Sequence, residues 1–346
     1  MPEAPAVGAL AASPPLDVAA LERYGEQAVP ALRGPLSVHQ IVGGSSNPTF
    51  IVQTAAGQRC VLRKKPPGAL LPSAHQVERE YRVMKALEGS GVPVPRMLAL
   101  CEDAGVIGTA FYLMEYLDGR VSRDARLPGC TPAERWAIFD AFNEALARLH
   151  QVDPVAVGLG DFGKPGNYFE RQFSRWERQY RAAQTETIPE MDELIAMLPA
   201  LLPHDEATAI VHGDCRTENA MIHPTEPRLL ALLDWELSTL GHPLADLGHF
   251  CVQYHTHSQA FGSLAGIDHA ALGIPTEQQF IEAYCRRTGR PGVENFRFHV
   301  GFALFRLAAI AQGSEKRRRE GVNPRARPDA DCADWARKAL KLLRGD

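Results

Sequence analysis

The stretch that most restricts how this chain folds is HGDCRTEN, at residues 212–219, which lies between two short apolar runs. The runs are AIV at 209–211 and AMI at 220–222, so Asp214 and Asn219 are predicted to lie on a loop rather than on one helix face. A carboxylate can take a proton from an attacking hydroxyl, and an amide oxygen can bind a hard cation. This pair of side chains therefore favours phosphoryl transfer.

A second carboxylate, Asp234, follows the apolar run LLALL and opens the tripeptide DWE, fifteen residues beyond Asn219. A strand–turn–strand hairpin of this length can return Asp234 beside Asn219. Mg²⁺ keeps near-octahedral oxygen coordination and usually takes few protein carboxylates beside the substrate phosphates. Asn219 and Asp234 are therefore the predicted metal ligands.

The pattern of apolar residues changes along the chain. Strand-like stretches between 36 and 62 indicate a β meander, and helical spacing over 77–87 indicates a helix after the third strand. FYLMEYLDG predicts a further strand, and beyond it long amphipathic segments predominate. The sequence predicts an α+β fold with a flexible tail at 1–20, a small β-rich N-lobe at 21–118 and a larger, mostly helical C-lobe at 119–346.

Composition excludes several classes of protein. The chain has 346 residues, 45% of them hydrophobic, and no apolar run approaches the roughly 20 residues that span a bilayer. The first fifteen residues lack the basic start of a secretory signal. Seven cysteines are scattered without a C-x-x-C pair, which argues against a disulfide framework or a zinc ribbon. We expect a cytoplasmic protein with reduced thiols and no membrane segment.

Charge is distributed unevenly along the chain. Residues 251–346 hold fifteen Lys and Arg against ten Asp and Glu, although the whole chain has a formal charge of −4. This basic region lacks the concentrated stripe with interleaved aromatic residues that nucleic-acid binding requires. It favours a small anionic partner instead.

The pattern H-G-D-x-x-x-x-N, followed by an apolar strand and D-W-E, resembles the aminoglycoside phosphotransferase-like family of small-molecule kinases, which is itself similar to protein kinases. The resemblance covers residues 36–345 in the order of elements. It implies a two-lobed protein-kinase-like fold, ATP and Mg²⁺ as cofactors, and a hydroxyl of a small molecule as the phosphoryl acceptor.

Within this family, LRKKPPGALLPSAHQVEREYRV and HGDCRTEN are most similar to the kinase domain found ahead of some acyl-CoA dehydrogenase modules. The implied acceptor for that branch is a hydroxy acid or a hydroxyacyl-CoA, which suits the basic C-terminal region. His242 stands where the branch usually has an acid.

The resemblance implies a role for each matching residue of the central motifs. Asp214 matches the catalytic aspartate that orients the acceptor hydroxyl and accepts its proton. Arg216 falls where protein kinases carry a lysine that contacts the transferred phosphate. Asn219 and Asp234 match the two metal-holding residues, and Asp246 matches the aspartate that braces the catalytic loop from the next helix.

The resemblance also implies a nucleotide site in the N-lobe. Arg63 occupies the strand position that contacts the α- and β-phosphates, where a lysine is more usual, and Glu80 matches its helix partner. Lys65 lies on the same strand face and is the alternative cation, whereas Lys64 points away. The phosphate loop is predicted to contact ATP through Gly44, Ser45, Ser46 and Asn47. The hinge strand is predicted to bind adenine beside Met114, through backbone groups of Glu115 and Leu117.

Two other functions stay open at this point. The first is an aminoglycoside-type antibiotic kinase, whose polycationic acceptor needs an acidic cleft. The second is a catalytically weak nucleotide-binding scaffold, which the arginine at position 63 leaves open.

Three further patterns have simpler interpretations. GLGDFG at 158–163 fits a dinucleotide motif but follows a predicted helix, so we interpret it as a turn. His249, His255 and His257 do not share one helix face, which favours helix packing over a metal site. EKRRRE at 315–320 is typical of a solvated helix end, with the rim of the acceptor pocket as the alternative.

Overall fold

The computed structural model describes residues 16–41, 47–66, 75–203, 207–257, 262–321 and 331–345. The chain divides into two compact units. The first unit holds the residues up to Arg120, together with Met221–Thr225 and Leu230–Glu236, and the second unit holds the rest. A short segment that follows the HGDCRTEN loop therefore groups with the N-terminal part of the chain.

The first unit is built on a five-stranded antiparallel sheet with the strand order β1-β2-β3-β5-β4. Its strands are β1 Leu36–Gln40, β2 Thr49–Thr54, β3 Arg59–Lys64, β4 Met97–Cys101 and β5 Phe111–Glu115. The predicted meander corresponds to β1, β2 and β3, and the predicted hinge strand is β5. Burial alternates along β2 because successive side chains of a strand point to opposite faces of the sheet, and its β-branched and aromatic residues suit such a half-buried strand.

One face of this sheet is covered by helix α1, Val18–Ala28. Leu21 packs in a core with Phe50, Leu62 and Phe111. Asp17 caps the helix by accepting a hydrogen bond from Ala20 N at 2.9 Å, which satisfies an amide of the first turn. The helix begins within the segment 1–20, for which we expected a flexible tail.

The first unit also contains helix α2, Val77–Leu87, the short helix α3, Ala104–Ile107, and most of a hairpin of β7, Ala220–Ile222, and β8, Leu229–Leu232. Helix α2 confirms the helix that the spacing over 77–87 predicts. It brings acidic side chains of its first turn, Glu78 and Glu80, toward the third strand.

The second unit is mainly helical. Its helices are α4 Pro132–Gln151, α5 Tyr168–Ala183, α6 Pro189–Met197, α7 Pro243–Cys251, α8 His269–Leu272, α9 Glu277–Thr288, α10 Phe296–Arg319 and α11 Cys332–Arg344. Two short strands, β6 Ala209–Val211 and β9 Thr239–Gly241, pair antiparallel. The α+β class, with a small sheet-based unit and a larger helical one, is confirmed.

Helix α10 organises the second unit, because it packs against α5, α7 and α11. Aromatic rings fill the contact with α5: Phe169 lies with its centroid 5.2 Å from that of Phe302, and Phe173 lies 5.8 Å from Phe305. Such ring pairs add to the free energy gained by burying apolar surface. Helix α10 thereby supports α7, which follows the HGDCRTEN loop in the chain.

Two further properties of the described residues bear on the class of protein. All seven cysteines are buried thiols that form no disulfide. Within the described ranges, no helix is both long enough and apolar enough to cross a lipid bilayer.

Candidate functional site

The loop at 212–219 leaves β6 in a conformation that requires glycine at its second residue. Gly213 has a φ of +84°, and a Cβ atom there would lie 2.5 Å from the Leu237 carbonyl oxygen. The residue is therefore free of both the left-handed strain and the clash that a side chain would cause. Ser238 Oγ donates a hydrogen bond of 2.7 Å to Val211 O, which fixes the end of β6.

Asp246, on α7, holds the backbone of this loop. Its Oδ2 accepts from His212 N at 2.6 Å and its Oδ1 accepts from Gly213 N at 2.8 Å. His150 Nε2 lies 3.2 Å from Asp246 Oδ2. Burial acts to raise the pKa of Asp246. The hydrogen bond and electrostatic interaction with His150, the electrostatic interaction with His212 and the hydrogen bond from Gly213 N outweigh burial and hold that pKa below its usual range. A buried carboxylate thus fixes the loop, as the sequence pattern implies.

Asp214 presents a carboxylate with defined contacts on both oxygens. Asn219 Nδ2 donates to Asp214 Oδ2 at 2.8 Å and also to the Asp214 carbonyl oxygen at 2.8 Å. His249 Nε2 lies 3.0 Å from Asp214 Oδ1. Because the amide nitrogen of Asn219 is directed at Asp214, its Oδ1 oxygen is the atom that can bind a cation.

The charge state of Asp214 follows from these contacts. Burial acts to raise the pKa of Asp214, but the hydrogen bond from His249 and the positive charges of Arg216 and Arg306 hold that pKa well below its usual range. The side chain remains 22% exposed, so it is both ionised and open to a ligand.

His249 is a residue of this site that the sequence interpretation missed. Its side chain is 2% exposed, and burial lowers its pKa despite the contact with Asp214. A neutral imidazole that donates from Nε2 fits this contact. The signal was the spacing on α7: His249 lies three residues after Asp246, and residues three apart share a helix face.

Arg216 is held by two carboxylates. Its Nη2 lies 3.1 Å from Glu218 Oε2 and its Nε lies 3.6 Å from Asp214 Oδ2. The structure therefore brings together three of the predicted residues of the loop, Asp214, Arg216 and Asn219.

In the first unit, Arg63 joins Glu80 to Asp234. Arg63 Nε lies 2.8 Å from Glu80 Oε2, and Arg63 Nη2 donates to Asp234 Oδ1 at 2.8 Å. Glu80 also accepts from Tyr112 OH at 3.0 Å and from Asn47 Nδ2 at 2.7 Å. Burial raises the pKa of Glu80, while the charge of Arg63 opposes that effect. Asp234 itself has a φ of +65°, a conformation that few residues other than glycine adopt and that is common at functional sites.

The two lysines that follow Arg63 take other positions. Lys65 Nζ donates to Glu78 Oε1 at 2.8 Å, so this alternative cation pairs with a different glutamate. Lys64 is buried, and that burial lowers its pKa. Among the three cations, Arg63 is the one placed against Glu80.

The phosphate loop falls largely outside the described residues, since Gly44, Ser45 and Ser46 are not among them. Asn47 is described and is buried. Its Nδ2 donates to Glu80, and its Oδ1 lies 2.9 Å from His75 Nδ1. Its amide is thus engaged within the protein.

The hinge residues line an apolar cavity of about 110 Å³ in the first unit, with walls that include Met114, Glu115, Leu117, Ile51 and Val61. Glu115 N donates to Arg96 O at 2.9 Å. The backbone N–H and C=O of Leu117 have no hydrogen-bond partner in the part of the chain that the structure describes. Leu117 therefore offers backbone groups to a ligand at the edge of this cavity.

The structure accounts for the three further sequence patterns, the GLGDFG motif, the histidines and the EKRRRE charge run. The GLGDFG turn at 158–163 follows α4 rather than a strand. His255 Nε2 lies 2.8 Å from Glu277, and the described ranges contain no group of three or more His, Cys, Asp or Glu side chains arranged for a metal ion. At the end of α10, Glu315 pairs with the exposed Arg318 and Arg319.

Comparison with known proteins places these observations in a family. The model of the phosphotransferase enzyme family matches residues 37–298. Acyl-CoA dehydrogenase family member 10 of Mus musculus is 50% identical over 287 residues, which cover 82% of this chain and 27% of that protein. The chain thus spans about a quarter of the length of that relative, and 37% of the length of human family member 11, to which it is 44% identical.

Solved structures have the same fold. A Ralstonia eutropha protein provisionally described as an aminoglycoside phosphotransferase is 48% identical, with a TM-score of 0.87 and coverage of 96% of this chain and 99% of that one. Aminoglycoside phosphotransferase APH(4)-Ia, as a thermostable mutant in complex with ADP and hygromycin B, is 14% identical with a TM-score of 0.61, over 94% of this chain and 98% of that one. The chain has the fold of small-molecule kinases and belongs to the phosphotransferase enzyme family.

Proposed function

We propose that this protein transfers the γ-phosphoryl group of ATP to a hydroxyl of a small molecule in the presence of Mg²⁺. The observation that carries this proposal is the Asp214 carboxylate, which is kept ionised and is oriented by Asn219 and His249 on its two oxygens. ATP is the donor that the family implies, and ADP in the related complex supports it.

The proposed reaction is an in-line displacement. The acceptor hydroxyl oxygen bonds to the γ-phosphorus, the bond from that phosphorus to the β,γ-bridging oxygen breaks, and ADP leaves with the electron pair. Asp214 orients the hydroxyl and takes its proton. Because the transition state is loose, the strongly ionised Asp214 contributes more by orientation than by basicity. Arg216, beside Asp214, stabilises negative charge on the transferred group.

We assign Mg²⁺ to the Asn219 amide oxygen and the Asp234 carboxylate from the sequence pattern. Both are the hard oxygen ligands that this ion prefers, and the Asn219 amide nitrogen is already engaged by Asp214. When bound, Mg²⁺ neutralises charge on the phosphates.

We assign the nucleotide-binding roles to residues of the first unit. Arg63 binds the α- and β-phosphates from its position against Glu80. The Glu115 carbonyl and the Leu117 amide bind adenine in the cavity that Met114 borders. Backbone groups of the phosphate loop, with Gly44, Ser45, Ser46 and Asn47, cover the phosphates.

We propose an anionic acceptor, a hydroxy acid or a hydroxyacyl-CoA. The positive surplus of residues 251–346 supports it, as does similarity to a protein named for the acyl-CoA dehydrogenase family. Seven buried thiols without a disulfide fit a reducing cytoplasm. The second candidate is an antibiotic kinase, which the provisional description of the 48% identical Ralstonia protein favours.

The test is ADP release with hydroxy acids, their CoA thioesters and aminoglycosides supplied in parallel. Asp214→Asn is the control: it should bind Mg·ATP normally and lose most acceptor-dependent turnover, by about a thousandfold. Turnover with aminoglycosides alone would select the second candidate. Nucleotide binding without turnover on any acceptor would identify a catalytically weak scaffold instead.

A further inference from the structure

Two arginines from neighbouring helices of the second unit share one indole ring. Arg306, on α10, has its Cζ 5.4 Å from the centroid of the Trp176 ring. Arg175, on α5, has its Cζ 5.2 Å from the same ring. Trp176 is buried, whereas Arg175 is exposed and Arg306 is partly so. The ring therefore lies beneath two positive charges that solvent can reach.

Neither guanidinium has an ion-pair partner among the residues that the structure describes, and Arg306 Nε is buried without a hydrogen bond. Other arginines of this unit do have acidic partners: Arg287 lies 2.7 Å from Asp140 and Arg181 lies 2.5 Å from Asp192. Although Arg175 is exposed as a residue, its guanidinium is partly desolvated over the Trp176 ring, which lowers its pKa, and the charge of Arg306 lowers that pKa further. The two cations thus stand together without a carboxylate in ion-pair contact among the described residues.

The packing of α10 places Arg306 on the face of this helix that meets α7, the helix that carries His249. Gly248 of α7 touches the backbone of α10 at His299, where a Cβ atom on the glycine would lie 2.6 Å from the His299 carbonyl. Arg306 follows His299 by seven residues, or two helical turns, so the two share one face of α10. The charge of Arg306 contributes to the lowered pKa values of both Asp214 and His249. The positive charge of Arg306 therefore acts electrostatically on Asp214 in the HGDCRTEN loop.

We propose that Arg175 and Arg306 form a subsite that binds the anionic group of the phosphoryl acceptor, a carboxylate or a phosphate. This inference rests on the proposed function, because it assigns the acceptor to the side of Asp214 where α5 and α10 meet. Guanidinium groups bind such oxygens through paired N–H donors, and the buried Trp176 ring beneath them supports both groups by cation–π contact. An aminoglycoside, which is polycationic, would be repelled there.

The experiment compares wild-type protein with Arg175→Met and Arg306→Met. Arg178→Met is the matched control, since Arg178 is an exposed arginine of the same helix, three residues from Arg175. Acceptors are a series of short hydroxy acids that differ in the position of the hydroxyl, their CoA thioesters and their neutral methyl esters. Thermal melting establishes that each variant is folded, and Arg306→Lys keeps the charge if the methionine variant is unstable.

We expect the KM for the anionic acceptor to rise about tenfold or more in both methionine variants, because a charge-assisted hydrogen bond is lost. The KM for ATP and for methyl esters should not change. A loss confined to free acids identifies a carboxylate as the ligand, and a loss confined to thioesters identifies the phosphates of coenzyme A. Turnover on anionic acceptors with unchanged KM in both variants overturns the subsite and leaves the proposed function standing.

If wild-type protein shows no turnover, calorimetry with coenzyme A and with the hydroxy acids tests the anion subsite separately from the proposed function. Binding that weakens in Arg175→Met and Arg306→Met, but not in Arg178→Met, supports the subsite although the proposed function fails. Wild-type protein that binds none of these anions overturns the subsite.

Discussion

His249 Nε2 lies 3.0 Å from Asp214 Oδ1, so a buried imidazole of α7 holds the carboxylate of the HGDCRTEN loop from the side opposite Asn219. The contact gives His249 a positioning role, since it orients Asp214 without reaching the acceptor itself. It also stabilises the ionised form of Asp214.

His249→Ala should therefore lower kcat by about tenfold to a hundredfold, the effect expected when a hydrogen bond to a charged group is lost. The pKa of Asp214 should rise toward its usual value, so activity should be lost at a higher pH on the acid side than in wild type. His249→Gln keeps a donor and should restore part of kcat. Steady-state kinetics across pH measure both effects.

His255→Gln is the control for this prediction, because that histidine contacts Glu277 rather than Asp214. An alanine variant at 249 with wild-type kcat and an unmoved acid limb would refute the positioning role.

The ion pair of Arg63 with Glu80 predicts a graded series on β3. Arg63→Ala should raise the KM for ATP and lower kcat, and Arg63→Lys should retain part of the activity because a lysine cannot grip two groups through a planar fork. Lys65→Ala should have a small effect, since Lys65 pairs with Glu78. Steady-state kinetics on the three variants and on Lys64→Ala measure the KM for ATP and kcat of each. A crippled Lys65→Ala beside a normal Arg63→Ala would move the phosphate contact to Lys65.

Asp234→Ala should weaken the Mg²⁺-dependent part of ATP binding by about tenfold, because a metal ligand is lost. Calorimetry with ATP in the presence of Mg²⁺ and of a chelator measures that part. Glu236→Gln is the matched control: Glu236 lies on the same segment, 3.9 Å from Arg63, and is not a predicted ligand. Equal Mg²⁺ dependence in wild type and Asp234→Ala would remove Asp234 from the metal site.

Asp246→Asn should reduce the free energy of unfolding by about 2 to 3 kcal/mol near neutral pH, because buried backbone amides lose a charged acceptor. The pKa of Asp246 is lowered in the folded protein, so its contribution is present above the usual aspartate pKa of about 3.9 and is lost as pH falls through the folded value.

Urea denaturation across pH measures this effect: the difference in the free energy of unfolding between wild type and Asp246→Asn should become smaller in acid. The exposed pair of Asp334 with Arg337 supplies a control, since Asp334→Asn should change stability by less than about 0.5 kcal/mol. A constant difference at every pH would exclude ionisation of Asp246 as its origin.

The spacing of residues within one segment was readable from the sequence. Asp214 and Asn219 are five residues apart on one loop, and their contact follows from local geometry. Alternation along β3 predicted that Arg63 and Lys65 share a face, but not which of them meets Glu80. That choice is made by Glu78, whose position on the first turn of α2 captures Lys65.

Contacts between distant segments were harder to predict. The resemblance to the family pointed to Asp246, whereas the spacing of His249, His255 and His257 favoured helix packing over a metal site and did not indicate a contact with Asp214. The spacing of three residues from Asp246 places His249 on the same face of α7, but its contact with Asp214 also depends on how α7 packs beside the loop, which this spacing does not specify. Strand β4 was missed because MLALC is short and follows a proline-rich stretch that weakens a strand signal.

The burial of all seven thiols has a practical consequence for spectroscopy. Thiol reagents need an accessible thiolate, so the folded protein should react slowly with a maleimide dye. A cysteine introduced on an exposed helix face, such as Arg178→Cys, would then be the preferred point of attachment. Fluorophore pairs for distance measurements can therefore be attached to this protein without first replacing its native cysteines.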